Sequence, residues 1–204
     1  MLINSTYDKL IGLLGARGAR YRIIEHAAEG RTDIASVLRN NSLTQAAKSI
    51  VVRVSITKRK GTYLLAVVPG DKYVDLTKLS QLVDGTKAAF AARDVAERLT
   101  ASPSGSIPPF SFNVELQLVV DKSLLFHEEI FFNAARLDRS VALHVEDYLA
   151  LARPRVEHIA TEAADRIESR PHRLINDREK LCTMALGRRT PGQWPQEWPG
   201  PGGI

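Results

Sequence analysis

From Tyr7 to Leu14 apolar residues recur at helical spacing, and Gly15 and Gly18 follow where a helix would end. The pattern predicts a short amphipathic helix. Tyr21 to Glu25 then reads as a strand, and Thr32 is a candidate cap for a second helix whose inner face would carry Ile34, Val37 and Leu38. Ile50 to Ile56 and Tyr63 to Val68 are β-branched-rich runs joined by a charged, glycine-ending tip over residues 57–61. A hairpin at the centre of a sheet is expected there.

Beyond Pro69-Gly70, residues Asp75 to Val83 place Leu76, Leu79 and Leu82 or Val83 on one face, with Asp75 as cap and Gly85 after the end. This predicts another helix. Ala88 to Ala91 reads as a short strand, Asp94 to Leu99 as a helical turn or two, and Leu116 to Val120 and Ile130 to Asn133 as strands. Glu146 to Ala152 closes the pattern as a helix, and Pro154 is placed to start a further helix running to about Ser169. The fold class expected is α+β: a mixed β-sheet with packed helices, a C-terminal helical extension and a Pro/Gly-rich tail. The organisation expected is one domain over residues 1–158 and an extension over 159–204. Trp194 and Trp198 in the tail would cover their own domain or anchor on a partner.

Composition narrows the class. With 204 residues, 44% hydrophobic and 25% charged, the chain is long enough for one sizeable core. Its apolar runs are far shorter than the roughly 20 residues that cross a bilayer, so no membrane partner is expected. No secretory leader pattern opens the chain, and Cys182 is the one cysteine, so a reducing cytoplasmic location is the expectation. A formal charge of +5 and a pI near 9.5 favour a polyanionic partner.

Several chemistries lack their motifs. His127-Glu128-Glu129 has no second His one turn later, and His26, His144, His158 and His172 show no metal-ligand spacing. No Gly-x-Ser-x-Gly elbow or phosphate loop occurs, so neither a metal, a nucleotide nor any other cofactor is expected. Two quieter features remain. Lys48 stands where a helix-forming stretch meets the apolar strand, and reads either as a snorkelling side chain or as a positioned cation. The stretch Gly105-Ser-Ile-Pro-Pro-Phe110 reads either as an ordinary connection or as a rigid loop whose exposed amides receive an oxyanion.

The segments Arg22-Ile-Ile-Glu-His26, Ala46-Ala-Lys48-Ser-Ile-Val-Val-Arg53, Leu65-Ala-Val-Val-Pro-Gly-Asp71, Gly105 to Phe110, Val120-Asp121 and Phe132-Asn133-Ala-Ala-Arg136 occur in this order. In sequence and order they resemble the YbaK and prolyl-tRNA-synthetase-associated editing family, over about residues 5 to 158. The resemblance implies metal-free, substrate-assisted hydrolysis of the ester that joins a wrongly attached amino acid to the terminal adenosine of tRNA. By that likeness Lys48 and Gly105 are the catalytic positions. His26, Ser49, Ser106, Ile107, Pro108, Pro109, Asp121, Asn133 and Ala135 would bind substrate or brace the pocket. Lys48 would act as a cationic positioner, because an ordinary lysine with a pKa of roughly 10.4 is a poor general base at neutral pH. Aminoacylated tRNA is the implied partner, with an aminoacyl-tRNA synthetase as a second. Ala135 departs from the Asn-Ala-Gly-Arg stretch of similar proteins, and its methyl would narrow the pocket or tilt the strand. The alternative is a non-catalytic tRNA- or synthetase-binding module of the same fold.

Overall fold

The computed structural model describes residues 5–162. Helix α1 (Thr6–Ala16) opens with a capping box in which Ser5 and Asp8 exchange side-chain and backbone hydrogen bonds. It buries Leu10 and Leu14 and ends before Gly18, which takes a left-handed φ of 62°. Strand β1 (Tyr21–Glu25) and helix α2 (Thr32–Arg39) follow. The long hairpin of β2 (Ala47–Ser55) and β3 (Gly61–Pro69) comes next. Then come β4 (Tyr73–Val74), α3 (Leu76–Gln81), β5 (Lys87–Phe90), α4 (Arg93–Thr100), β6 (Leu116–Asp121) and β7 (Glu129–Asn133). The described fold closes with β8 (Arg139–His144), α5 (Val145–Ala152), β9 (Arg155–Glu157) and β10 (Ala160–Thr161).

The central sheet has the order β5-β2-β3-β6-β9, with β2 antiparallel to β3 and β5, and β6 parallel to β3 and β9. A smaller sheet, β1-β8-β7, is antiparallel throughout. Strand β3 explains the shape of the core. Its alternate residues Leu64, Ala66 and Val68 pack with Val52, Leu79 and Val119 on one face. Leu65 and Val67 pack with Leu10, Leu99, Val120 and Tyr148 on the other. A strand covered on both sides needs an unbroken apolar run, which is what residues 64–68 supply.

The mixed architecture matches the α+β expectation, and Asp75 caps α3 through bonds to the amides of Thr77 and Lys78. Three local expectations are corrected. Helix α2 turns Ala35, Ser36 and Arg39 inward, leaving Ile34, Val37 and Leu38 exposed, and its cap is Arg31 instead of Thr32. The cause is Arg39, whose guanidinium finds four oxygen partners inside the fold (below). Residues 155–161 form β9 and β10 where a helix was expected. The Asp121 carboxylate accepts hydrogen bonds from the amides of Ile159 and Ala160 at 2.8 and 2.7 Å, and sheet pairing with β6 and β4 overrides helical spacing. Strand β8 was not expected, yet it is the middle strand of the small sheet. No helix among the described residues is long and apolar enough to cross a membrane. Cys182, Trp194, Trp198 and the remainder of the extension lie outside the described residues.

Candidate active site

Lengthening β2 back to Ala47 draws Lys48 into the strand, opposite Val68. Its ammonium donates to the carbonyls of Gly70, at 3.0 Å, and Lys72, and lies 5.3 Å from the centre of the Tyr73 ring. A lysine held by carbonyl oxygens is a fixed cation. It stands in the wall of a cavity of about 510 Å³ that also receives Ser49, Thr32, Arg39, Gly105, Ile107 and Asn133.

Part of the lining is backbone, at Gly30 and Gly105. Gly105 has φ +86°, and a Cβ there would come within 2.7 Å of the Gly30 Cα. Only glycine permits this contact without strain. Asn133, at the end of β7, ties the two segments together. Its amide nitrogen donates to the carbonyls of Glu29 and Gly105 at 2.8 and 2.9 Å. Its amide oxygen accepts from Ser140 at 2.8 Å and Arg39 at 3.2 Å. All four of its hydrogen-bonding positions are thereby used.

Arg39 is 7% exposed and donates to Asn133, Ser140, Ser36 and Asn41, with no carboxylate partner among the described residues. Burial pushes its pKa down to about 10, so it remains a cation at neutral pH. Sequence reasoning missed Arg39, Gly30, Gly70 and Tyr73. A basic residue placed by the expected inner face on the outer side of α2 gives no local sign that two of its partners, Asn133 and Ser140, lie 94 and 101 positions downstream.

Of the eleven residues expected to act, Lys48, Ser49, Gly105, Ile107 and Asn133 converge on this cavity. The others stand outside its lining. His26 sits one step behind Asn133, bridging the Ala27 carbonyl at 2.8 Å and the Ser140 hydroxyl at 2.7 Å. Ser106 is fully buried and bonded to the Pro103 carbonyl, and Pro108 and Pro109 are buried as well. Asp121 caps a 3₁₀ turn through Ser123 and holds residues 159 and 160, so it braces the sheet and not this pocket. Ala135 takes φ +58°, a left-handed conformation that favours glycine, and it stands outside the cavity lining, so the expected narrowing of the pocket by its methyl does not occur. Among the described residues no three His, Cys, Asp or Glu side chains gather as a metal site.

A cation and a glycine-built backbone wall facing one cavity fit recognition of an ester next to phosphate, and the comparisons agree with that chemistry. Residues 29–151 match the aminoacyl-tRNA editing domain. The chain belongs to this family. Editing of an aminoacyl-tRNA is hydrolysis of its ester, so the editing domain is an aminoacyl-tRNA hydrolase. It is 40% identical over 153 residues, 73% of this chain and 89% of the relative, to the multifunctional Ser/Thr-tRNA deacylase ProXp-y of Escherichia coli, in strains K12 and O157:H7. The fold is shared with the crystal structure of hypothetical protein APE2540, at TM-score 0.68 and 21% identity over 75% of this chain and 99% of that one. It is shared too with a candidate trans-editing enzyme for prolyl-tRNA synthetase, at TM-score 0.64 and 23% identity over 76% and 97%.

Proposed function

We propose that this editing domain acts in trans on tRNA carrying a small hydroxylated amino acid, serine or threonine, and that Lys48 and the Gly105 loop carry the chemistry. The observation that carries the side-chain preference is Ser49. Its hydroxyl is shielded from solvent, has no hydrogen-bond partner among the described residues and belongs to a residue lining the cavity. A buried hydroxyl without a partner costs free energy, which a turn of the Ser49 side chain to a second staggered rotamer and a hydrogen bond to a substrate hydroxyl would offset. The name of the 40% identical relatives agrees with this preference.

In this reading the terminal ribose enters beside Lys48, whose ammonium orients the ester and its phosphate neighbour. Water attacks the ester carbonyl, aided by the adjacent ribose hydroxyl. The C–O bond to the ribose breaks, and free amino acid and tRNA with a restored hydroxyl leave. Negative charge on the carbonyl oxygen meets Lys48 and the amides of Gly105 and Ile107, which have no acceptor among the described residues. The Ser106 amide is committed to the Pro103 carbonyl at 3.0 Å and takes no part. Purified protein assayed against tRNAs charged with serine, threonine, alanine, proline and cysteine tests the proposal. Preferred release of serine and threonine supports it, and preferred release of alanine or cysteine overturns it.

A further inference from the structure

The charges of this molecule are unevenly matched. Arg20, Arg22, Arg31, Arg93, Arg136 and Arg155 each sit within 3 Å of a carboxylate. At the corner formed by β2, β3 and β5 the pattern reverses. Arg53, Lys58, Arg59, Lys60 and Lys87 are all exposed, and none forms an ion pair among the described residues. Residues 34–70 contain no Asp or Glu but six Lys or Arg, so this one stretch supplies both the cavity cations Arg39 and Lys48 and most of the corner.

The corner is shaped as well as charged. Arg53 is registered against Tyr63 on β3 and Ala89 on β5, and Lys87 lies opposite Ser55, so these side chains share one face. Together with Phe90, which is 48% exposed, they line a groove of about 490 Å³ with no acidic residue in its wall. Cations without a carboxylate partner beside an exposed ring, here Phe90, and the half-buried Tyr63 are a composition that holds a nucleic-acid strand, phosphates on the cations and bases on the rings. Ser49, which lines the cavity, lies on the same face of β2 four residues before Arg53, about 13 Å at the rise of a strand. That length corresponds to about four stacked nucleotides.

We propose that this corner binds the phosphodiester backbone of the tRNA acceptor arm, several nucleotides back from the end held at Lys48. The proposal rests on the deacylase reading above. Charge complementarity selects the occupant: a polyanion already tethered at the cavity by its terminal nucleotide must run somewhere, and this face has cations without ion-pair partners among the described residues.

The test compares wild type with Arg53→Glu/Lys87→Glu and with the charge-conserving Arg53→Lys, all checked for unchanged melting. Binding of uncharged tRNA is measured by fluorescence anisotropy across a salt series. Each phosphate contact contributes about 0.7 to 0.9 to the slope of log affinity against log salt, so the double variant should lose about 1.4 to 1.8 of slope. In deacylation its KM for aminoacyl-tRNA should rise about tenfold with kcat held. Hydrolysis of the same amino acid esterified to adenosine alone, which cannot reach the corner, should stay at the wild-type rate. Arg53→Lys should bind as wild type does. A double variant with the wild-type salt slope and KM overturns the proposal, and so does an equal loss on the adenosine ester. If wild-type protein binds tRNA but hydrolyses neither ester, the deacylase reading fails, while the salt slopes still decide the corner.

Discussion

Gly105 and Gly30 meet backbone to backbone, so closely that the first carbon of any side chain on Gly105 would lie 2.9 Å from the Gly30 carbonyl oxygen. The glycine therefore serves the joint between two segments, and not merely the entry of substrate. Gly105→Val should lose stability and activity together, because the backbone must leave φ +86° and the segments must part. A destabilisation of at least about 1–2 kcal/mol is expected from the positive φ alone. Urea unfolding and deacylation rate, measured on the same preparation, check it. A variant that unfolds like wild type would show that the joint opens at little cost.

Lys48→Ala should lower kcat by roughly 10² to 10³, the loss seen when one oriented donor to a developing charge is removed. Lys48 is only partly buried and its ammonium donates to the backbone carbonyls of Gly70 and Lys72, so the fold should survive. Single-turnover hydrolysis with a folded variant decides. Turnover near wild type would remove Lys48 from the chemistry.

Ser49→Ala removes a hydroxyl that has no partner among the described residues, without leaving a gap of consequence. Melting should hold or rise slightly, since no hydrogen bond within the fold is broken. The rate on seryl-tRNA should fall about tenfold relative to alanyl-tRNA, because a site built to bond a hydroxyl loses its discrimination when the partner goes. An unchanged ratio would place selection elsewhere in the cavity.

Asp121 is fully buried in the sheet and is the clearest source of acid sensitivity. Desolvation acts to raise its pKa, but bonds from the Ser123 hydroxyl and the amides of Ser123, Ala160 and Ile159 outweigh it, and the net shift is downward. A carboxyl whose folded pKa lies below its unfolded value of about 3.9 contributes stability above that value and loses it as pH falls through the folded pKa. Asp121→Asn should therefore be less stable than wild type at neutral pH, and the difference should shrink below about pH 4. Urea midpoints from pH 7 down to pH 3 measure it. A constant difference across that range would mean that the charge itself contributes nothing.

What could be read from the sequence was local. Asp75 with Leu76 and Leu79 announces α3 within a few residues, and the β-branched runs announce β2 and β3. The inner face of α2 was hidden because the burial of Arg39 is decided by Asn133 and Ser140, 94 and 101 positions away. Residues 155–161 were hidden for the same reason, since Asp121 lies 38 and 39 positions before the amides it holds. In the site, Lys48, Gly105 and Asn133 were legible through family resemblance. Gly30 was not, because its role exists only once the 105 loop lies against it.

Lys48 draws its ammonium toward the Lys72 carbonyl, and the next residues, β4, are paired to β10 and tied by Lys72 to Glu162 at 3.2 Å. The seat of the cation thus depends on the last stretch of the described chain, more than a hundred positions after the lysine itself. Transplanting Lys48 and the Gly105 loop into another scaffold would carry the reactive groups without the anchorage that aims them. A deletion beginning at Ile159 would strike the reaction centre from a distance, leaving every residue of the cavity wall in the chain but the Asp121 carboxylate without its two amides and the 72–74 segment without its neighbour.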